Sequence, residues 1–156
     1  MKTCWAVIVS TLLTVFALPT HAMEPAVRAD DMIESIGVCT HWTYNDTPYG
    51  KEFPKAKKML KELGVRYIRD RFTQRNVEIY NELGIKTTAI VMPEMETYLS
   101  LIRKHPDAVA AIEGPNESNL WQINYEDKKG FPDATRLFQN DLYQAVKNDP
   151  ILKRIP

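Results

Sequence analysis

The sequence predicts an α/β fold in which strands and helices alternate four times. From residue 35 onward, short apolar segments with strand character alternate with segments whose apolar residues recur at helical spacing. The junction Glu62-Leu63-Gly64-Val65 recurs as Glu82-Leu83-Gly84-Ile85, and a glycine at such a point turns the chain from a helix back into the sheet. Four β/α units in succession imply parallel strands with covering helices.

The first two units occupy residues 35–83. A short strand is predicted at 35–40, followed by a loop at 41–50 that is rich in Asn, Asp, Pro and aromatic residues. The first helix is predicted from apolar residues at helical spacing: Ala56, Met59, Leu60 and Leu63. Gly64 stands where a helix C-terminal glycine belongs. The second unit has a strand at 65–69 and a helix at 74–83, which ends at Gly84.

The third and fourth units follow without a linker. A strand at 85–92 is stopped by Pro93, and the next strand is predicted at 108–112. The helix between them is defined by four apolar residues: Met95, Tyr98, Leu99 and Ile102. After a polar loop, a fourth helix that ends near Asn148 is marked by Ala134, Leu137, Phe138, Leu142 and Ala145. The chain therefore predicts one domain, or one half of a domain.

Residues 1–22 have the pattern of a signal peptide. Lys2 precedes an apolar run at 4–18, and Thr20 and Ala22 occupy the small-residue positions of a cleavage site. The run is too short for a comfortable membrane span. We expect cleavage after Ala22, a mature domain at 23–156 that has no membrane anchor, and a secreted or periplasmic location.

The charge balance and the cysteine count argue against several classes of function. Lys and Arg number 20, as do Asp and Glu, and no polybasic block is present, so nucleic acid is not an expected partner. Cys4 leaves with the signal peptide and Cys39 then stands alone, which excludes an internal disulfide. Because His41 and His105 are far apart in the sequence, we expect neither a metal site nor another cofactor.

The residues at the predicted strand ends favour a barrel over a doubly wound sheet. A dinucleotide-binding sheet carries a glycine-rich loop after its first strand, whereas residues 40–44 here are bulky, polar and aromatic. In a (β/α)8 barrel the catalytic groups lie at the carboxyl ends of the strands. The chemically interesting residues follow the four strands in turn: His41, Arg69 to Arg71, Pro93-Glu94 and Asn116-Glu117. The fold class we predict is therefore the first four units of a TIM (β/α)8 barrel.

Glu117 is the strongest candidate for a catalytic group. Glycoside hydrolysis needs one carboxylic acid to protonate the leaving oxygen and a second carboxylate opposite it. A Glu that follows a buried strand can have its pKa raised enough to act as that acid. Asn116 can orient Glu117 and hydrogen-bond a sugar hydroxyl. The alternative is that the Asn-Glu pair begins a helix, with Asn116 as its cap.

The segment "AAIEGPNESN" at the fourth strand resembles the acid/base motif of clan A glycoside hydrolases, the cellulase and β-xylosidase type of barrel. The stretch "IGVCTHWTYNDTPYGKEFPKAKKMLKELGVRYIRDRF" is similar to the opening of such proteins. The resemblance covers residues 35 to about 155. It implies a secreted retaining glycosidase that acts on O-glycosidic bonds of an oligo- or polysaccharide, with Glu117 as the acid/base.

The resemblance also implies roles for other residues. Arg69 is similar to the clan's strand-two arginine, which lies near the nucleophile and holds it ionised; Arg71 competes for this role, and a salt bridge with Asp70 or a neighbouring strand is the alternative. His41 matches a substrate-pocket position after strand one, and a histidine that is hydrogen-bonded within its loop is the equal alternative. Glu113 is expected to brace the strand end. Three aromatic residues are candidates to stack on sugar faces or, equally, to pack in the fold: Trp42, Tyr44 and Trp121.

Four units make half a barrel, and the family's nucleophile lies at strand seven. The resemblance thus implies a chain truncated before strand five, or a half-barrel that associates with itself or with a C-terminal half. Two rival classes remain open. One is a non-catalytic carbohydrate-binding or scaffold half-barrel, and the other is an unrelated flavodoxin-like domain.

Overall fold

The computed structural model describes residues 26–156, so the predicted signal peptide lies outside the described residues. Within 26–156 no helix is both long and apolar enough to cross a membrane. The fold is α/β and is built around a four-stranded parallel sheet. The strands follow chain order: β1 (Gly37–Cys39), β2 (Tyr67–Arg71), β3 (Lys86–Ile90) and β4 (Val109–Glu113).

Six α-helices are present in this part of the chain: α1 (Ala29–Glu34), α2 (Pro48–Lys51), α3 (Phe53–Leu63), α4 (Gln74–Leu83), α5 (Met95–Lys104) and α6 (Asp133–Asn148). Two 3-10 helices lie at Pro106–Ala108 and Leu152–Arg154. A small antiparallel hairpin, β5 (Asn124–Tyr125) and β6 (Lys128–Lys129), packs near α6. The predicted alternation of four strands with four longer helices is confirmed.

Left-handed glycines end two of the helices as predicted. Gly64 after α3 has φ +72° and Gly84 after α4 has φ +71°, a conformation that costs a side chain with a Cβ and costs glycine little. The N–H of Gly84 donates to the carbonyl of Tyr80, which closes the last turn of α4. Each glycine therefore releases the chain into the next strand of the sheet.

One face of the sheet, which we call the covered face, carries the core. Side chains of a strand alternate between the two faces, and the strand residues that pack with α3 to α6 all come from one of them. Ile68 and Ala89 on this face are almost fully buried. Asp70 and Thr87 are buried there as well and hydrogen-bond inside the protein.

The open face of the sheet carries the other set of side chains. Arg69 pairs in register with Cys39 and Thr88, so all three point to the same side. Arg71 lies two residues further along β2 on the same side and is exposed. The open face thus leads directly to the carboxyl ends of the strands.

Three short elements and the exposure of two apolar residues were not predicted. The sequence pattern gave no reason to expect α1, α2 or the β5–β6 hairpin, which are short elements. Met59 and Leu63 of α3, expected among its packed apolar residues, are exposed. They face outward beyond β1, where they line an apolar groove of about 510 Å³ with Val38, Trp42 and Leu60.

Candidate active site

A cleft of about 620 Å³ lies at the carboxyl ends of the four parallel strands. Its walls come from the end of each strand and from the loops after β1 and β4. The lining residues are Cys39, Thr40, His41, Thr43, Tyr44, Arg69, Arg71, Ile90, Met92, Asn116, Glu117 and Trp121. Six of the seven residues that the sequence nominated therefore meet in one place, although β1 and β4 are the two ends of the sheet order.

Arg69 connects β2 to the end of β4 across the open face. Its Nε donates to Glu113 Oε2 at 2.9 Å, and its Nη2 donates both to Glu113 Oε1 and to Asn116 Oδ1, the latter at 2.8 Å. The hydrogen bonds to the Glu113 carboxylate raise the pKa of the Arg69 guanidinium above its ordinary value. Two carboxylate oxygens and an amide oxygen thus fix the guanidinium, and the guanidinium fixes Asn116.

Glu117 follows Asn116 in a left-handed backbone conformation, with φ +48°. This conformation is uncommon for a residue with a Cβ and carries local strain. The Glu117 carbonyl accepts the N–H groups of Leu120 and Trp121, both at 2.8 Å, so the strained residue opens a tight turn. As a result Glu117 is exposed at the cleft, next to an amide whose oxygen is already engaged.

His41, Tyr44 and Trp121 form the aromatic part of the cleft. The His41 and Tyr44 rings are stacked, with centroids 4.6 Å apart and planes 12° apart. Tyr44 remains 48% exposed and Trp121 72% exposed. Ring faces with this exposure can take up the apolar side of a sugar ring.

Trp42 does not belong to the cleft, and its nomination as a ligand-stacking residue is wrong. It is 2% exposed and packs against Tyr49 and Phe53 with edge-to-face geometry, the centroids lying 5.5 and 5.2 Å away. The reason is the direction of the loop after β1. His41 points toward the open side, so the next side chain is directed into the space between the sheet and α3. Packing, the alternative that the sequence also allowed, is the role of this residue.

Asp70 anchors the loop that carries His41. Its Oδ2 accepts the Thr40 hydroxyl and the Trp42 N–H, both at 2.8 Å, and its Oδ1 accepts the Arg71 N–H at 2.7 Å. Burial raises the pKa of Asp70 above the ordinary aspartate value, because it disfavours the charged form more than these hydrogen bonds favour it. The carboxylate holds both residues that flank His41 and so fixes its position at the cleft.

Arg75, in the first turn of α4, holds the same loop through a second set of contacts. Its Nη1 donates to the carbonyl of Trp42 at 2.6 Å, and its guanidinium lies over the Phe53 ring, 5.0 Å from the centroid. The loop is therefore fixed by one residue at the end of β2 and another in the first turn of α4. Neither side chain lines the cleft.

No family model, curated protein or solved structure matches this chain. Among residues 26–156, no group of three His, Cys, Asp or Glu side chains is placed to hold a metal ion.

Sequence reasoning undervalued two residues of the site. Glu113 was expected only to brace the strand end, whereas it is the carboxylate partner of Arg69. Arg71 was considered only as a competitor of Arg69, yet both residues line the cleft. The period-two alternation of "RYIRDRF" carries the missing signal, because it places Arg69 and Arg71 on one face and Asp70 on the other. The same alternation removes Asp70 as a salt-bridge partner of Arg69.

Proposed function

We propose that this chain carries the first four β/α units of an exported retaining glycoside hydrolase whose substrate is an oligo- or polysaccharide. The observation that carries the proposal is the meeting of Arg69, Asn116 and Glu117 at one cleft where the parallel strands end. A polar constellation at the carboxyl ends of parallel strands is the usual position of an active site in (β/α)8 barrels. Aromatic rings beside it suit a carbohydrate.

Each residue has a role in this proposal. Glu117 protonates the leaving glycosidic oxygen and later takes a proton from the attacking water. Asn116, held by Arg69, presents its amide nitrogen to a sugar hydroxyl, because its oxygen already accepts the Arg69 hydrogen bond. Arg69 contributes positive charge next to the second carboxylate of the reaction. His41, Tyr44 and Trp121 receive the sugar rings.

The sheet supports the barrel part of the proposal. A strand order that follows chain order, with α3 to α6 packed on one face, is what successive β/α units of a barrel give, whereas a doubly wound sheet reverses its order and covers both faces. The N–H of Ile112 in β4 donates to the carbonyl of Pro156 at 2.9 Å. The carbonyl of Glu113, the next residue, accepts the N–H of Val91 on the β3 side. Because successive residues of a strand direct their backbone groups to opposite sides, Pro156 lies on the far side of β4 and extends the same strand order.

The apolar groove beyond β1 also supports a barrel. If β1 were an ordinary sheet edge in contact with water, polar residues would be expected at the positions of Met59 and Leu63 in α3. Their exposure, together with the partial exposure of Val38, fits a sheet whose next strand and helix pack on this side. In a closed barrel the units on either side of β1 cover such a groove.

A non-catalytic carbohydrate-binding protein is the second candidate. Retaining hydrolysis uses two carboxyl groups roughly 5 Å apart. Among the residues that the structure describes, Glu117 is the one carboxylate that lines the cleft, since Glu113 is engaged by Arg69. The same aromatic and polar walls bind sugar without a second carboxylate.

Glu117→Gln, made in the full-length or reassembled protein, tests the proposal on aryl glycosides whose leaving groups differ in basicity. Protonation by Glu117 matters for a basic leaving group and little for a good one such as 2,4-dinitrophenol, because a good leaving group departs without a proton. We expect the variant to lose about 10³-fold in kcat/KM for an unactivated oligosaccharide, in the range of general acid catalysis, and far less in kcat/KM for the dinitrophenyl substrate. The parameter kcat/KM reports cleavage of the glycosidic bond and not the later attack of water, for which Glu117 is the base. Oligosaccharide binding, measured by calorimetry, should be retained.

Glu126→Gln is the matched control. Glu126 is exposed and also has a positive φ, +51°, but it lies in the β5–β6 hairpin away from the cleft lining. The control should hydrolyse every substrate at the wild-type rate. An equal loss of kcat/KM on all leaving groups, or no loss in Glu117→Gln, contradicts the acid/base role. Sugar binding by a full-length or reassembled wild-type protein that hydrolyses nothing favours the second candidate.

A further inference from the structure

Arg71 is an unpaired guanidinium at the wall of the cleft. It lies at the end of β2, two residues from Arg69 and on the same face, and its side chain is exposed. The ion pairs formed within residues 26–156 do not include it. Glu94, which follows the neighbouring strand β3, is therefore not its partner.

The other charged residues of the cleft do not pair with Arg71. Arg69 is matched by Glu113, which holds it with two hydrogen bonds, so this pair has little net charge. Glu117 also lines the cleft and forms no ion pair with Arg71 within residues 26–156. Arg71 is therefore a positive charge at the cleft wall that has no ion-pair partner in the described part of the chain.

We infer that the cleft takes an acidic sugar unit, whose carboxylate pairs with Arg71. This inference rests on the proposed function, since it names the substrate class of the same site. A guanidinium presents a planar fork of N–H donors that matches a carboxylate with two parallel hydrogen bonds. The rings of Tyr44 and Trp121 offer faces for the sugar ring that bears the carboxylate.

The test compares acidic tetrasaccharides with their own carboxyl-reduced forms, which keep the same rings and linkages and lack the charge. A panel of galacturonate, glucuronate-containing and mannuronate tetrasaccharides is titrated into the chain by calorimetry at low ionic strength. We expect at least one acidic member to bind about fivefold more tightly than its reduced form, the size of one well-oriented ion pair at an exposed site. Added salt should reduce this ratio.

Two variants assign the ratio to Arg71. Arg71→Gln should bring the ratio of acidic to reduced affinity close to one. Arg136→Gln is the matched control, because Arg136 is exposed, forms no ion pair in the described part of the chain and lies on α6, which contributes nothing to the cleft lining. This control should keep the wild-type ratio.

The outcomes separate this inference from the function on which it rests. If reduced and acidic forms bind equally, or if Arg71→Gln keeps the preference, the charge inference is overturned while carbohydrate binding stands. If no member of the panel binds in either form, the proposed function fails and the inference fails with it. A preference that disappears equally in Arg136→Gln indicates long-range attraction and also overturns the role of Arg71.

Discussion

The polar side chains on the two faces of the sheet differ in their exposure and in their hydrogen-bond partners. On the covered face, Asp70 is 3% exposed and each of its oxygens accepts a hydrogen bond from inside the protein. On the open face, the side chains of Arg69 and Glu113 are 34% and 32% exposed and reach across β3 to each other. The difference shows that polarity on the covered face serves the fold, whereas the charges on the open face lie where folding does not require them.

The adjacent residues Asp70 and Arg69 give the sharpest form of this comparison and the largest expected effect on stability. Asp70→Ala should lower the free energy of unfolding by about 2–4 kcal/mol, because it leaves the buried Trp42 N–H and Thr40 hydroxyl without an acceptor. Arg69→Met should cost less than about 1 kcal/mol, since Glu113 can be hydrated once the partly exposed pair is broken. Urea unfolding followed by circular dichroism measures both values.

Ligand binding should reverse that order. Arg69→Met removes the donor that holds Asn116 and should weaken oligosaccharide binding in a chain that remains folded. A variant Arg69→Met that unfolds as readily as Asp70→Ala would show that the open face also supports the fold. The comparison between the faces would then fail.

The neighbouring threonines of β3 provide a smaller test of the same comparison. Thr87 lies on the covered face, is fully buried and accepts a hydrogen bond from Asn76 Nδ2 at 3.3 Å. Thr87→Val keeps the shape and leaves the buried amide without this acceptor, at a cost of about 1–2 kcal/mol. Thr88→Val on the open face should change stability by less than about 0.5 kcal/mol. Thermal unfolding of the two variants side by side gives the difference.

Equal effects of the two threonine substitutions would contradict the comparison. Valine is a good strand former at both positions, so strand propensity does not separate the variants. Asn76→Ala supplies the check on mechanism. In that background Thr87→Val should cost less than in the wild type, because the donor is no longer present.

The fold was predictable from sequence wherever a regular pattern had room to repeat. The apolar spacing of α5 and α6 and the glycines at 64 and 84 place helices and strands within a few residues of their observed bounds. Short elements such as α2 and the β5–β6 hairpin escaped, because four residues hold too little periodicity to detect. The exposure of Met59 and Leu63 was also missed, since helical spacing identifies an apolar face and cannot say what covers it.

The site was predictable as a location and less so as a set of contacts. The rule that parallel strands end at one edge brings Arg69 and Asn116 together from residues far apart in sequence. It cannot say that Glu113 is the residue that engages Arg69, because that depends on side-chain reach across β3. Trp42 was misassigned for a related reason, since a loop residue next to His41 can point to either side of the sheet.

The smallest effect we expect is the pH dependence of stability that Asp70 contributes. Burial raises the pKa of Asp70 above the ordinary value of 3.8, so between the ordinary and the raised pKa the folded state binds a proton that the unfolded state has lost. The contribution of Asp70 to stability is thus fully present below the ordinary pKa and is lost as the pH rises through the raised one. Asp70→Asn removes this titration.

Comparing the wild type with Asp70→Asn in urea unfolding at a series of pH values isolates the contribution of Asp70 to the free energy of unfolding. The stability of the wild type relative to the variant should fall as the pH rises from about 3.8, the unperturbed value. Asp149→Asn is a control of opposite sign. The Leu152 N–H and Arg103 lower the pKa of Asp149, so its stabilising contribution is lost as the pH falls. If the Asp70 difference had the same sign of slope as the Asp149 difference, the three hydrogen bonds to the Asp70 carboxylate would outweigh its burial. The covered face would then favour a charge, as the open face does.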